Sequence, residues 1–411
     1  MRKNWAALCG EVRLNVQKRL DLSREMTDEE VLELIDEELL ALNRRQYLLL
    51  EEKLGMRSEL FHTMRKLDLL QELVEDPEVT EIMVNGPEAI FVEKRGRLFR
   101  WDKQFASREK LEDIVQRIVS FSNRSVSKSR PIADARLEDG SRVNVVLDPV
   151  AVKGPVITIR RFPEQPIRFE QLLAWGSLTK EAAVFLQDAV AAGYNILISG
   201  GTGSGKTTFL NALSEFIPQG ERIITIEDNA ELQLITVENL VTLEARSANL
   251  EGEHEITIRD LIRTALRMRP SRIIVGEVRG PEALDMVQAM NTGHEGSICT
   301  GHANSSRDML SRLEVMMMMA MDLPLPAIRG QIASGVDLIV HLGRLRDGSR
   351  RVLEITELNG IREGEISLHT LFAFAEDVTK ALEGNRVGGE LKRKGELCHM
   401  EKMKAAGIGR I

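Results

Sequence analysis

The apolar residues near the start of the chain recur at helical spacing. Val31, Leu34, Ile35, Leu39 and Leu42 fall on one side of a predicted helix whose other side is acidic. Such a stripe predicts either an ordinary helical bundle with a solvated acidic face or a helix that docks onto a partner. We therefore expect residues 1–66 to form a helical N-terminal extension.

The pattern changes from residue 67 onward. The short runs TEIMVNG, AIFVEKRG and RLFRW read as strands broken at Gly86 and Gly96, residues 107–121 have the spacing of an amphipathic helix, and RVNVVLD and VITIRRF read as further strands. These elements predict a small α/β domain over residues 67–162. The stretch FPEQPIRF, residues 162–169, has two prolines between patterned segments and is the predicted linker.

The rest of the chain alternates predicted strands and helices. YNILISG, RIITIED and SRIIVGE are apolar runs that end in polar, acidic or glycine residues and are separated by helical stretches. This order predicts an α/β domain over residues 163–411, with a parallel sheet covered by helices on both faces. Ligands of such sheets bind at the carboxyl ends of the strands, where all three runs carry their chemistry.

A glycine-rich loop follows the first of these runs. GGTGSGKTT matches the P-loop pattern Gly-x-x-x-x-Gly-Lys-Thr between a strand and a helix. Lys206 would reach the β- and γ-phosphates and the Thr207 hydroxyl would bind Mg2+, whereas a plain glycine-rich turn is the competing interpretation. The predicted nucleotide-binding residues are Gly200, Gly201, Thr202, Gly203, Ser204, Gly205, Lys206, Thr207 and Thr208.

Carboxylates end the next two strands. Glu277 closes RIIVGE, where a Walker B carboxylate orients a water on Mg2+ or polarises the attacking water. TIEDNAE adds Glu227, Asp228 and Glu231. A carboxylate at a strand end can also be a helix cap or part of a solvated turn. Two acidic strand ends behind a complete P-loop favour a hydrolytic site.

Hydrolysis of a nucleotide also needs positive charge. Arg263 and Arg267 in DLIRTALRMRP are at i and i+4 of a predicted helix, so they share one face and can reach one anion together. A solvated basic face is the alternative. His294 and His302 lie among small residues, and because no carboxylate or thiolate spacing completes a metal site, we expect a γ-phosphate sensor instead.

Composition limits the class of protein. The 411-residue chain has a net charge of −8 and a pI near 5.6, which argues against wrapping nucleic acid along a basic face. Its three cysteines are widely spaced and include no Cys-x-x-Cys pair, so the sequence suggests neither a disulfide framework nor a zinc site. Charged residues interrupt the first apolar stretch, which fails as a secretory signal, and we expect the protein to stay inside the cell.

Taken in order, the motifs resemble those of one superfamily. GGTGSGKTT, TIEDNAELQL, RMRPSRIIVGEVRG and TGHEGSICTGHANS look like the Walker A, Asp box, Walker B and His box of the type II/type IV secretion ATPases. Upstream, EDPEVTEIMVNGPEAIFVEKRGRL and PIADARLEDGSRVNVVLDP are similar to the amino-terminal domain of the CpaF-type, tight-adherence pilus branch. The resemblance implies a RecA-like P-loop ATPase domain after a smaller, PAS-like α/β domain. It does not firmly cover residues 1–66.

The resemblance also implies an activity and an assembly. It implies a homohexameric motor that binds ATP and Mg2+, hydrolyses ATP to ADP and phosphate, and drives pilus assembly or secretion through an inner-membrane platform protein. Such a motor is cytoplasmic and lies peripherally at the inner face of the membrane without being inserted. Nucleic acid is not an expected partner.

Roles for the acidic and histidine residues follow from the same resemblance. Glu227 of the Asp box would be the general base, Glu277 would hold the metal-bound water, and His302 would sense the γ-phosphate. Whether Glu227 or Glu277 is the base stays open. The sequence departs from related His boxes at Gly301, where a bulkier residue is common, so the role of His302 could differ in detail.

Arginine roles are implied in both domains. Arg263 and Arg267 match the catalytic arginines of the family, and Arg142 in DGSRV matches a nucleotide-contacting arginine of the amino-terminal domain. Three scattered cysteines cannot supply the four-cysteine zinc element of the assembly ATPases of type II secretion and type IVa pili, so that subfamily is disfavoured.

Other classes stay open as alternatives. A RecA-like nucleic-acid motor would share the fold and the hydrolysis, although an aromatic content of 4% offers little for base stacking. A scaffold that binds nucleotide without turnover is another class. A P-loop GTPase is disfavoured because the chain has no Asn-Lys-x-Asp motif.

Overall fold

The computed structural model describes residues 2–409 except 21–23, 25, 95, 122–125, 163–165, 247–254 and 378–386. The chain divides into two compact units, Met1–Glu164 and Gln165–Ile411. The predicted linker falls partly outside the described residues, because residues 163–165 belong to it. A separate extension that ends at residue 66 stays a prediction.

The first unit consists of helices followed by a mixture of strands and helices. Its described helices are α1 (Arg2–Arg19), α2 (Asp28–Arg45), α3 (Leu50–Arg65), α4 (Leu70–Glu75) and α5 (Arg108–Phe121). Its described strands are β1 (Val79–Asn85), β2 (Ile90–Lys94), β3 (Arg97–Arg100), β4 (Ile132–Arg136), β5 (Arg142–Val146) and β6 (Val156–Arg160).

Helices α1 to α3 share one apolar core. Thr27 caps α2: its hydroxyl accepts the N–H of Glu30 at 3.3 Å, while the Glu30 carboxylate accepts the N–H of Thr27 at 2.8 Å. The predicted stripe of α2 packs against the neighbouring helices, with Leu34 partly buried and the other members buried. The stripe is therefore used within a bundle, as the first of the two interpretations predicts.

The six-stranded sheet of the first unit is antiparallel, in the order β3-β2-β1-β6-β5-β4. Strands β1, β2, β3, β5 and β6 and helix α5 lie where the apolar pattern predicts them, whereas β4 was not predicted. Alternate strand residues are buried in the core that the sheet shares with α5, which contains Ile157 and Ile159 of β6 together with Leu111 and Ile118 of α5. This one-sided burial is typical of an antiparallel sheet with a helix on one face.

The second unit alternates helices and strands. Its described helices are α6 (Phe169–Ala174), α7 (Lys180–Ala191), α8 (Lys206–Ser214), α9 (Ile258–Ala265), α10 (Glu282–Asn291), α11 (Ser306–Ala320), α12 (Leu325–Gly335) and α13 (Glu401–Ala405). Its described strands are β7 (Ile196–Gly200), β8 (Arg222–Glu227), β9 (Asn239–Glu244), β10 (Arg272–Val278), β11 (Ile298–Gly301), β12 (Leu338–Arg344), β13 (Arg350–Arg362), β14 (Glu365–Glu376) and β15 (Gly389–Arg393).

These strands form one nine-stranded sheet in the order β15-β14-β13-β12-β7-β11-β10-β8-β9. The strands from β12 to β9 in that order are parallel, and β13 to β15 extend the sheet antiparallel. Ile196 and Ile198 of β7 face one apolar core while Leu197 faces a second, so helices cover both faces. The predicted parallel sheet is confirmed, but its antiparallel extension was not predicted.

Within the described part of the chain, none of the helices combines the length and the apolar character needed to cross a membrane.

Candidate active site

The glycine-rich loop connects the interior strand β7 to helix α8. β7 ends at Gly200 and α8 begins at Lys206. Gly203 and Gly205 have φ values of 71° and 93°, in the left-handed region that glycine adopts without strain. The tight loop leads into a helix N-terminus, whose first N–H groups have no partner within the helix. Those N–H groups and the positive end of the helix dipole favour an anion such as phosphate.

Side chains within the loop keep it compact. The hydroxyl of Ser204 donates to the carbonyl of Gly201 at 2.9 Å, and a Cβ added at Gly200 would lie 2.5 Å from that hydroxyl. Thr202 is exposed, and Thr207 and Thr208 are half-buried in the first turn of α8. All the predicted nucleotide-binding residues from Gly200 to Thr208 therefore lie in this loop and the helical turn that follows it.

The ammonium group of Lys206 is held against the loop backbone. Its Nζ donates to the carbonyl oxygens of Gly200 and Gly201, both at 3.2 Å, and lies 3.3 Å from Nδ1 of His302. Lys206 is only 8% exposed, so its charge is largely withdrawn from bulk water. The loop thus carries a positive charge beside its anion-binding N–H groups.

The imidazole of His302 lies between Lys206 and Glu277. Its Nε2 is 2.8 Å from Oε1 of Glu277, while Nδ1 faces Lys206. An ammonium only donates, so Nδ1 accepts from Lys206 and the proton of the neutral ring is assigned to Nε2. Burial lowers the pKa of His302 below 6.5; the negative charge of Glu277 opposes this shift, and the positive charge of Lys206 adds to it. His302 is therefore a neutral imidazole at pH 7.

Gly301 ends strand β11 directly before His302. A Cβ added at Gly301 would lie 2.6 Å from Cε and 2.8 Å from Sδ of Met309. The Met309 thioether therefore occupies the space that a bulkier residue would take. Met309 of α11 thus fills the space left by glycine at position 301, where related His boxes commonly have a bulkier residue.

Arg279 is a site residue that the sequence analysis missed. Its guanidinium lies 2.6 Å from Oε2 of Glu277 and 3.4 Å from Oδ2 of Asp228, and the hydrogen bond to Glu277 raises the pKa of Arg279. Arg279 thus connects the Walker B carboxylate to the Asp box. The spacing contained the signal, because residues at i and i+2 of an extended segment point to the same side.

The carboxylate of Glu227 is buried at the end of β8. Glu227 is 4% exposed, and its oxygens accept the N–H groups of Glu231 at 3.1 Å and Leu232 at 3.2 Å. A Cβ added at Gly276 of the adjacent strand β10 would lie 2.7 Å from Cγ of Glu227. Gly276 therefore leaves the space that Glu227 occupies, next in sequence to Glu277.

The two predicted catalytic arginines lie at the end of α9 and just beyond it. α9 ends at Ala265, so Arg267 lies in the following turn, with its N–H bonded to the carbonyl of Thr264 at 3.0 Å. Arg263 instead shares its face with Arg259, one turn earlier, and both bind the carboxylate of Asp285, at 2.8 and 2.6 Å. α9 is thus shorter than the pattern indicates, and its own face carries Arg259 and Arg263; that Arg263 and Arg267 reach one anion together stays a prediction.

Arg142 belongs to the first unit. It is the first residue of β5 and pairs in register with Arg136 of β4 and Arg160 of β6. Three arginines thus form one row across the antiparallel sheet. The predicted contact of Arg142 with nucleotide stays a prediction.

Arginines from the hairpin that joins β12 to β13 lie beside the P-loop and were also missed. Nε of Arg350 donates to the carbonyl of Gly203 at 2.8 Å, and a Cβ at Gly203 would lie 3.9 Å from Nη1 of Arg344. A cavity of about 230 Å³ opens next to this contact, and its lining includes Ile167, Trp175, Thr208, Phe209 and Arg350. The apolar walls and the two arginines of the lining, Arg350 and Arg351, suit a flat heterocycle attached to a bound phosphate chain.

His341 is a buried polar residue behind the loop. Its Nδ1 lies 2.8 Å from the hydroxyl of Ser199, the residue that precedes Gly200, and burial lowers the pKa of His341 below 6.5. The contact joins β12 to β7 at the base of the P-loop. No local pattern predicted it, because these residues are brought together only by strand pairing.

Comparison with known proteins shows which family this chain is similar to. The family described as Type II/IV secretion system protein matches residues 64–381. The chain is 36% identical over 310 residues to a putative conjugal transfer protein of Mycobacterium tuberculosis, covering 74% of this chain and 87% of that relative. It is 33% identical over 328 residues to the type IV secretion system protein PtlH of Bordetella pertussis, covering 72% of this chain and 95% of PtlH.

The solved structures support the fold class. The ATPase DotB of Yersinia pseudotuberculosis is similar with a TM-score of 0.53 and 19% identity, over 72% of this chain and 79% of DotB. The similarity confirms the predicted mixed α/β fold, with a RecA-like P-loop domain and a smaller amino-terminal domain. With its complete P-loop and a family match over most of its length, the chain belongs to the type II/IV secretion system protein family and is one of its ATPases.

Proposed function

We propose that this ATPase is a homohexameric motor that powers assembly of a tight-adherence type IV pilus, or secretion, through an inner-membrane platform protein. The observation that carries the hydrolytic part is the contact of His302 with both Lys206 and Glu277. A single imidazole thereby connects the phosphate-binding loop to the Walker B carboxylate. The motor part is supported by the family and by relatives named for type IV secretion and conjugal transfer.

The residues present fit ATP with Mg2+. The glycine loop, the N-terminus of α8 and the ammonium of Lys206 supply N–H groups and positive charge for a phosphate chain. Thr207 and Glu277 supply the hard oxygen ligands that Mg2+ prefers. When bound, Mg2+ neutralises charge on the phosphate oxygens.

Each side chain has a role that follows from its surroundings. Lys206 exchanges its backbone carbonyl partners for phosphate oxygens, which are stronger acceptors for an ammonium. Glu227 accepts the proton of the attacking water at a carboxylate oxygen, and the N–H groups that hold it fix the orientation of that carboxylate. His302 places Nε2 beside Glu277 and senses the γ-phosphate through its other neighbour, Lys206.

Arginines complete the proposed charge balance. Arg279 orients Glu277, and we assign Arg263 and Arg267 the catalytic roles that the family resemblance implies. Asp285 holds Arg263 in the isolated chain, so a catalytic role requires that this ion pair exchange for a phosphate. Arg142 would contact the nucleotide from the amino-terminal domain and couple domain movement to nucleotide turnover.

If the active species is a ring, ATP turnover depends on the assembly of the subunits. We expect ATP turnover per chain to rise with protein concentration, and light scattering to give a hexamer mass in the presence of ATP and Mg2+. Arg142→Ala should lower turnover and keep most of the nucleotide binding, while Arg97→Ala, an exposed arginine of the same unit, serves as the matched control. A strictly monomeric protein with concentration-independent specific activity would contradict the motor.

The alternatives give different results in the same assay. Stimulation of turnover by single- or double-stranded DNA would favour a RecA-like nucleic-acid motor, a class worth testing because one relative is named for conjugal transfer. Tight nucleotide binding without turnover would favour a scaffold. The pilus branch is tested in the cell: deletion of the gene should abolish surface pili, and neighbouring genes should encode a prepilin and a multi-spanning platform protein.

A further inference from the structure

The C-terminal segment, residues 394–409, lies against the antiparallel part of the large sheet. Oε2 of Glu357 accepts the N–H of Cys398 at 2.8 Å, and Oε1 accepts the N–H of His399 at 2.7 Å. The carbonyl oxygen of His399 also accepts a hydrogen bond from the hydroxyl of Tyr194 at 2.5 Å. The segment is thus fixed around one buried carboxylate.

Glu357 is an unusual residue for a sheet interior. Its side chain is 2% exposed, and it pairs in register with His369 across the antiparallel strands β13 and β14. Directly paired residues of an antiparallel pair project their side chains to the same face about 5 Å apart. The pairing of β13 with β14 alone therefore places a carboxylate and an imidazole side by side, independently of the C-terminal segment.

Cys398 brings a thiol to the same place. A carboxylate oxygen of Glu357, a ring nitrogen of His369 and Sγ of Cys398 all lie within 4.8 Å of one another. His369 is further oriented by its Nε2, which lies 2.9 Å from the carbonyl of Glu396, the kind of contact that orients a ligating imidazole. The three donors come from three separate parts of the chain.

The donor types select a class of metal. Thiolate and imidazole ligands suit Zn2+ and its neighbours rather than Mg2+ or Ca2+, which prefer oxygen alone. Ligand atoms around a tetrahedral Zn2+ are about 3.3 to 3.7 Å apart, given bond lengths of about 2.0 to 2.3 Å. The three donor atoms lie within 4.8 Å of one another, and the exposed Cys398 side chain is the one to move closer, because Glu357 and His369 belong to paired strands.

We propose that Glu357, His369 and Cys398 bind one Zn2+ ion that fastens the C-terminal segment to the sheet. The thiol loses its proton to solvent as the Zn–S bond forms. A water molecule fills the fourth position, and Nδ1 of His399, 2.9 Å from Oε1 of Glu357, holds the carboxylate in place. This site is separate from the P-loop and independent of the proposed motor function.

Cobalt titration tests the site on the full-length protein. After treatment with a chelator, Co2+ should bind one per chain and give a thiolate-to-cobalt band in the near ultraviolet, which Zn2+ then removes. Cys398→Ser should abolish the band and His369→Gln should weaken binding by about 10-fold or more. Cys9→Ala and His62→Gln are matched controls away from the cluster and should bind as the wild type does. Absence of the band in the wild type, or its persistence in Cys398→Ser, overturns the proposal.

A second measurement avoids any folding defect of the variants. Cys398 is exposed whereas Cys9 and Cys299 are buried, so iodoacetamide should alkylate Cys398 first in the wild type. Equimolar Zn2+ should slow that alkylation at least 10-fold, as measured by mass spectrometry of the peptide that contains Cys398. An alkylation rate that Zn2+ leaves unchanged also overturns the proposal, whatever the variants do.

Discussion

Nε2 of His302 lies 2.8 Å from Oε1 of Glu277. The contact arises because β10 and β11 are neighbouring parallel strands, with Val278 paired to Gly301 directly beside these two side chains. The other ring nitrogen faces Lys206 of the P-loop. If Lys206 moves to bind a phosphate, the movement is therefore passed through His302 to Glu277, the carboxylate that we assign to Mg2+.

Lys206→Ala should abolish hydrolysis and preserve the fold. The substitution removes the ammonium from the phosphate site, and Lys206 contacts carbonyl oxygens and His302 rather than an apolar core. We expect turnover to fall by about 100-fold or more. Phosphate release and circular dichroism measure the two effects, with Lys180→Ala at the start of α7 as the control. Wild-type turnover in Lys206→Ala would contradict the P-loop assignment.

Glu227→Gln and Glu277→Gln should differ in their dependence on Mg2+. An amide keeps the shape of Glu227 but cannot take a proton, so Glu227→Gln should bind ATP with Mg2+ tightly and lose about 100-fold or more in turnover. Glu277→Gln should also raise the Mg2+ concentration needed for half-maximal binding. Fluorescent-nucleotide binding and phosphate release at several Mg2+ concentrations measure both. Turnover retained in Glu227→Gln would exchange the two roles.

Protonation of His302 should destabilise the folded protein. The pKa of His302 is lowered in the fold, first by burial, and returns to about 6.5 in the unfolded chain. Just below pH 6.5 the unfolded state therefore binds more protons, and the free energy of unfolding falls as the pH falls. Urea unfolding of wild type and His302→Gln at pH 7.5 and 5.5 should show a smaller decrease in the variant. His341, whose pKa is also lowered, titrates in both proteins and cancels in this comparison.

Gly276→Ala should displace the carboxylate of Glu227. The added Cβ would lie 2.7 Å from Cγ of Glu227, closer than atoms can pack, so either the side chain or the strand must move. Overpacking of this kind costs about 1 to 3 kcal/mol of stability, and turnover should fall more than ATP binding. Gly330→Ala is the control, because nothing lies within 4 Å of its added Cβ and its helical backbone suits alanine. Wild-type turnover in Gly276→Ala would contradict the role of Glu227.

The sequence by itself determined the features that depend on neighbouring residues. The P-loop from Gly200 to Thr207 is legible because the strand, the turn and the helix N-terminus that bind phosphate are consecutive. Likewise, the apolar runs of β7, β8 and β10 mark buried parallel strands, since such strands have no polar face. The carboxylates that end β8 and β10 could then be placed at one edge of the sheet.

The early end of α9 shows where local pattern stops being sufficient. The periodicity of DLIRTALRMRP continues to Arg267, but the helix ends at Ala265 and the carboxylate of Asp285 binds Arg259 and Arg263. Asp285, which binds these two arginines, is on α10. The periodicity of one helix contains no information about a side chain on another helix.

Only the tertiary structure decided which chemical groups meet. His302 reaches Lys206 and Glu277 through strand order, and Arg350 reaches the P-loop through a hairpin far along the chain. The widely spaced cysteines gave no sign of a metal site, yet strand pairing sets Glu357 beside His369 and the C-terminal segment adds Cys398. The physical reason is the same in each case: sheet register and loop closure fix distances between residues that no sequence period relates.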